Sequence, residues 1–162
     1  MKEYNGDLLR AESWDAMCHV ANNYCVFGSG IAAQILNVFP MMYDADKETN
    51  DICEWPERKL GTFSMAQLDG YRYGYNLYAM NGLGNTGGPL SRNLSYDHLF
   101  DAMLKMVEDV ITHSPIDSLI RIGLPKLMGC DRAGGSWLIV LGIIADLEYR
   151  YPRVEFLVYN FN

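Results

Sequence analysis

His19, Asn22 and Asn23 crowd into the stretch "HVANNYCVFGSGIA", just ahead of Gly28-Ser29-Gly30 and an apolar run at helical spacing. A second stretch, "LMGCDRAGGSW", sets Cys130, Asp131 and Arg132 before Gly134, Gly135 and Ser136, again with an apolar run behind. A helix N-terminus presents unpaired N–H groups and a partial positive charge, and glycine lets the main chain approach an anion closely. Two such loops facing each other, at the carboxyl ends of strands, would hold a diphosphate. His19 and Asp131 are the proton carriers in these segments, and Asn22 is placed to orient a hydroxyl or a water. No His/Cys/Asp/Glu cluster has ligand spacing, so neither a metal nor another cofactor is expected.

Each of these residues also has a structural reading. Glycine turns between strand and helix are common punctuation. His19 lies among apolar residues and suits a buried, hydrogen-bonded role, while Asn22 and Asn23 suit a turn. Cys130 reads as a small thiol packed under its loop. There is no G-x-x-x-x-G-K-[ST] and no G-x-G-x-x-G opening the first strand–helix unit, which argues against a P-loop ATPase and a standard dinucleotide dehydrogenase.

The elements that must position these groups follow from patterning. "KEY" and Met17 to Ala21 read as strands. Ile31, Ile35, Leu36 and Phe39 recur at helical spacing until Pro40 stops the run, and residues 42–54 form a charged second helix. "LGTFSMAQL" and "YRYGYNLYAM" flank Asp69-Gly70 as antiparallel neighbours, with Tyr71, Tyr73, Tyr75 and Tyr78 packing or pairing across the sheet. The glycine-rich stretch "NGLGNTGGPLSRN" is too long for a hairpin and reads as a functional loop. Ser95 caps a helix carrying Leu99, Met103, Met106, Val107 and Val110, with His98 and His113 at its surface. "SLIRIGL" is a strand, "WLIVLGIIADLEYRY" a helix apolar around most of its circumference and so expected to be well buried, and "VEFLVYNF" a strand. Alternating strands and helices make one α/β domain on a mostly parallel or mixed sheet.

Composition sets outer limits. The 162 residues are 49% hydrophobic and 20% charged, as in a globular domain. A net charge of −7 argues against coating nucleic acid, which takes clustered lysine and arginine, but leaves room for a phosphate held by main-chain amides. Four cysteines without a C-x-x-C pair read as reduced thiols. No apolar leader opens the sequence and no apolar run reaches membrane-spanning length, so a cytoplasmic protein is expected.

Four blocks together carry a resemblance: "NGDLL" at 5–9, "HVANNYCVFGSGIA" at 19–32, "GYNLYAM" at 74–80 and "GLPKLMGCDRAGGSW" at 123–137. In that order they resemble a macro domain, the ADP-ribose-binding module. They are most similar to the small stand-alone type of phages and bacteria, related to an ADP-ribose-1''-phosphate phosphatase and a terminal ADP-ribose protein glycohydrolase. The resemblance implies a three-layer α/β/α sandwich around a central mixed sheet, spanning residues 1–162, with ADP-ribose or a derivative as ligand. It implies that Asp7, followed by Leu8, receives the adenine amino group, with Tyr159 and Phe161 flanking the base. Asn22, with Asn23 beside it and His19 before it, falls on the loop facing the distal ribose. Gly28, Ser29, Gly30, Ile31 and Ala32 match the loop that runs along the diphosphate. Gly129, Cys130, Asp131, Arg132, Ala133, Gly134, Gly135, Ser136 and Trp137 match the second phosphate loop. Two departures stand out. Met80, followed by Asn81, occupies the place of a lysine that some members use on the distal ribose. In the second loop Asp131 replaces a glycine and Ser136 an aspartate. The reaction implied is hydrolysis of a group linked at C1'' of ADP-ribose, with ADP-ribose-1''-phosphate, giving ADP-ribose and phosphate, as the favoured substrate and His19, Asn22 and Asp131 as catalytic residues; the alternatives are a non-catalytic binding module and an ADP-ribosyl hydrolase that works without the lysine.

Overall fold

Short β-branched and aromatic runs become strands and longer amphipathic runs become helices, in the order that the patterning predicts. The computed structural model describes residues 1–83 and 92–161. β1 (Lys2–Asn5) and β2 (Ala16–Asn22) precede α1 (Gly30–Val38) and α2 (Pro40–Ile52), and a 3-10 turn (Pro56–Lys59) leads to β3 (Phe63–Gln67) and β4 (Tyr73–Met80). Then come α3 (Tyr96–Thr112), β5 (Ile120–Pro125), α4 (Trp137–Arg150) and β6 (Val154–Asn160). Pro40 both follows the end of α1 and opens α2, where its missing N–H costs nothing. Of the glycine-rich stretch at 81–93, residues 84–91 lie outside the described residues.

The six strands form one sheet in the order β1-β6-β5-β2-β4-β3. All neighbours are parallel except β3 and β4, which pair antiparallel from Phe63↔Leu77 to Gln67↔Tyr73 across the expected turn at Asp69-Gly70. Tyr75 and Tyr78 are buried, but Tyr71 sits in the turn with 93% of its surface exposed, so it takes no part in cross-sheet packing.

Helices cover both faces, giving the expected three layers. On one side Ile35 of α1 and Met42 of α2 pack with Leu8, Trp14, Met17 and Leu157. On the other, Leu99, Met103 and Met106 of α3 and Val140, Ile144 and Leu147 of α4 pack on Ile122 and Phe156. α4 departs from expectation. It buries that single stripe, whereas Leu138 and Tyr149 are 80% and 86% exposed, because a helix in an outer layer meets the sheet along one side. Among the described residues no helix is long and apolar enough to cross a membrane.

Candidate functional site

β2 and β5 lie side by side in the sheet but pair only at Ala16↔Ile122 and Met17↔Gly123. Beyond Met17 they part. From β2 the chain turns to α1 on one face, and from β5 to α4 on the other. Parallel strands whose connections leave to opposite faces open a crevice at their carboxyl ends. A cleft of about 620 Å³ lies there, lined by residues 19–22, 26–32, Met80, Leu83 and 125–133. Both glycine-bearing loops thus meet in one place.

The first loop ends at Ser29, whose side chain does not cap α1. Its Oγ instead accepts a hydrogen bond from Arg132 Nη1 at 2.7 Å, joining the two loops. Gly30 follows with φ +60°, a left-handed turn that a Cβ would strain. α1 has neither a side-chain cap nor an acidic residue in its first turn. By contrast, α3 is capped by Ser95 Oγ accepting from the His98 amide, with Asp97 beside it. The N–H groups of Gly30, Ile31 and Ala32 are therefore left at the cleft as anion donors.

The second loop contributes less than expected. Gly135 N donates to the Gly129 carbonyl at 2.9 Å, Gly134 N to the Asp131 carbonyl at 3.3 Å, and Ser136 N to the Tyr96 hydroxyl at 2.8 Å. A Cβ on Gly135 would stand 2.4 Å from Leu94 Cδ2 and 2.6 Å from the Gly129 oxygen, so this glycine serves the loop's own closure. Gly129, Cys130, Asp131, Arg132 and Ala133 line the cleft; Gly134, Gly135, Ser136 and Trp137 lie behind it, with Trp137 packed against the larger core. One helix N-terminus faces the cleft where sequence reasoning expects two. Leu127, at φ +64°, is a non-glycine residue held left-handed at the cleft wall.

His19 is buried against the cleft. Its Nε2 lies 2.6 Å from Asn76 Oδ1, its ring meets Phe27 edge-on, and Nδ1 has no hydrogen-bond partner. Burial holds its pKa below the ordinary 6.5, against the opposing pulls of Asn76, of the Asp46 charge and of the Val20 main chain, so the ring is neutral at pH 7. Asn22 lines the cleft but also closes its own turn, with Nδ2 donating to the Val26 carbonyl and Oδ1 accepting from the Tyr24 and Val26 amides. Asn23 is fully buried outside the cleft, where it braces Pro56, Asn81 and Gly82. Cys130 donates to the Met128 carbonyl, and burial pushes its thiol up, away from the nucleophilic thiolate. Asp131 and Arg132 are exposed at the mouth.

Asp7 and Tyr159 line a separate shallow groove at the ends of β1 and β6, with Tyr4, Arg10 and Ser13. Asp7 Oδ1 accepts from the Leu9 amide and Oδ2 lies 3.4 Å from Arg10 Nε. Leu8 is in the core, its carbonyl accepting from Trp14 Nε1. Tyr159 is buried, stacked on the half-exposed Tyr4 and hydrogen-bonded to Ser13 at 2.7 Å. Since β1, β6, β5, β2 and β4 run parallel, groove and cleft lie at the same edge of the sheet. Sequence reasoning misses Lys126, a cleft residue whose Nζ pairs with Glu3 at 2.6 Å, although its place just after β5 marks it. It also misses Tyr4, Phe27 and Asn76, whose roles depend on strand order.

The fold is that of the macrodomains. It superposes on the macrodomain of Mycobacterium tuberculosis DarG with a TM-score of 0.73 at 20% identity, covering 98% of this chain and 95% of that one. It also matches Thermosipho africanus DarTG in complex with ADP-ribose, with a TM-score of 0.73 at 16% identity over 98% of this chain and 41% of that chain. No protein-family model matches the sequence. At 30% identity over 152 residues, 89% of this chain and 87% of the relative, the chain belongs to one family with the uncharacterized 17.5 kDa protein in the tk-vs intergenic region of Enterobacteria phage T4.

Proposed function

We propose that this chain binds ADP-ribose or a closely related nucleotide in the cleft and hydrolyses a group linked at C1'', with ADP-ribose-1''-phosphate as the favoured substrate. The observation that carries the reading is the uncapped N-terminus of α1 opening on a crevice between two loops. A protein in complex with ADP-ribose, Thermosipho africanus DarTG, carries a similar fold over 41% of its length, which supports it. The base lies toward Asp7 and the Tyr4–Tyr159 pair, the diphosphate along 28–32 and 129–133, and the distal ribose toward Asn22 and His19. In the reaction, water attacks phosphorus, the P–O bond to C1'' breaks, and the leaving oxygen keeps the electron pair and takes a proton. Neutral His19 accepts the proton from water, Asp131 relays a proton from solvent to the leaving oxygen, and the free amides of α1 stabilise negative charge.

Calorimetry with ADP-ribose tests the binding half, and no heat at millimolar ligand overturns it. Release of phosphate from ADP-ribose-1''-phosphate tests the second half, and both His19→Ala and Asn22→Ala should slow it at least tenfold. Equal rates in the variants would remove the site assignment. A second reading, binding without turnover, is favoured by Met80 in place of a lysine and by the Asn22 amide's engagement with Val26. Tight ADP-ribose binding without phosphate release selects it.

A further inference from the structure

His19 is the cleft end of a buried polar chain that crosses β4 and β3 to reach α2. Asn76 Nδ2 donates to the Met42 carbonyl and to Ser64 Oγ, both at 2.9 Å. A carbonyl oxygen only accepts, which fixes the amide's orientation and leaves Oδ1 facing His19 Nε2. An amide oxygen also only accepts, so Nε2 carries the proton. Ser64 Oγ accepts from Asn76 and donates to the Tyr78 hydroxyl at 2.7 Å, which in turn donates to Asp46 Oδ1 at 2.5 Å. Asp46 is paired with Lys59 Nζ at 3.0 Å, and both are buried. The carboxylate gives the chain its direction: the Tyr78 and Ser64 hydroxyls must point toward Asp46, so Ser64 is left to accept from Asn76.

In neutral His19, then, Nδ1 bears a lone pair. It is buried without a partner, on a residue lining the cleft. A buried acceptor without a donor is costly, and a ligand that brings one completes it. We propose that Asn76 is a positioning residue that holds His19 in the Nε2–H tautomer and so presents Nδ1 to the cleft as acceptor for a hydroxyl or water. Ser64, Tyr78 and the Asp46–Lys59 pair set Asn76 in turn. The proposal deepens the functional reading above and rests on it for the identity of the cleft's ligand.

Nitrogen-15 NMR of the imidazole in the full chain is the test, with His19 assigned by its loss in His19→Gln. At pH 7.5 and without ligand, His19 should show protonated Nε2 and unprotonated Nδ1 as a single tautomer. Asn76→Leu should give Nδ1–H or a mixture. A wild-type Nδ1–H form, or the same tautomer in Asn76→Leu, overturns the proposal; should Asn76→Leu not fold, the wild-type spectrum decides it. Saturation with ADP-ribose should move the Nδ1 resonance, and an unmoved one overturns its presentation to the ligand. The two readings fail separately. A wrong tautomer leaves calorimetric binding intact, whereas absent binding heat with the right tautomer removes the nucleotide and keeps Asn76's role.

Discussion

Replacing Lys59 by methionine tests how the interior is balanced. Lys59 and Asp46 are 2% and 0% exposed, their charged atoms are 3.0 Å apart, and the ammonium also lies 4.4 Å from the centre of the Tyr78 ring. Methionine nearly preserves the volume, so the loss is electrostatic: a carboxylate stays buried with only the Tyr78 hydroxyl on Oδ1, and Oδ2 is already without a partner. Removing one member of a buried pair costs about 3–5 kcal/mol. In a chain of this size that lowers Tm by about 6–20 °C. Urea denaturation at pH 7, followed by two probes to check two-state behaviour, measures it. The double variant Asp46→Leu/Lys59→Met removes both charges and strands only the Tyr78 hydroxyl, at about 1–3 kcal/mol. It should therefore be more stable than Lys59→Met alone. A loss below about 1 kcal/mol in Lys59→Met, or a double variant worse than the sum of the singles, would refute the picture of a desolvated, mutually dependent pair.

The His19 pKa is lower folded than unfolded, so its contribution to stability is complete above pH 6.5 and falls as acid protonates the unfolded chain first. The slope there approaches about 1.4 kcal/mol per pH unit down to the folded pKa, and His19→Gln should flatten it; matching pH profiles of wild type and variant would contradict the burial argument. Gly135→Ala drives a Cβ into Leu94 and the Gly129 carbonyl and should cost about 1–3 kcal/mol in urea titrations, together with ligand affinity. Arg132→Ala, at an exposed bridge to Ser29, should change stability by less than about 0.5 kcal/mol yet weaken ADP-ribose binding in calorimetry. Cys130→Ala should keep any phosphate release within about twofold, since burial holds the thiol protonated.

Much of the architecture is legible locally because the signals are local. The Ser95 cap, the Asp69-Gly70 turn and the spacing from Leu99 to Val110 each specify an element from adjacent residues, and each element is found. The two loops are legible too, since glycines before apolar runs announce strand-to-helix turns. What fails is whatever depends on a distant partner. Asp46 and Lys59 sit in a segment that reads as a charged helix and its sequel, and only the packing of α2 over β3 and β4 turns them inward. Asn23 looks like its neighbour Asn22 in sequence, yet the register shift after Ala21 separates a cleft residue from a buried brace. α4 misleads in the opposite way, because an apolar circumference says nothing of whether a second layer covers it.

The sparse pairing of β2 with β5 has a mechanical side. The sheet is in effect two blades, β1-β6-β5 and β2-β4-β3, whose strands are stitched together at a short seam by two residue pairs. A molecule lodged above that seam touches both blades, so occupancy adds to the cohesion of the sheet itself. At a hundredfold excess over Kd, mass action adds about 2.7 kcal/mol to folding. That gain concentrates at the seam, where amide hydrogens of residues 18–22 and of Gly123 and Leu124 would exchange more slowly once a ligand is in place.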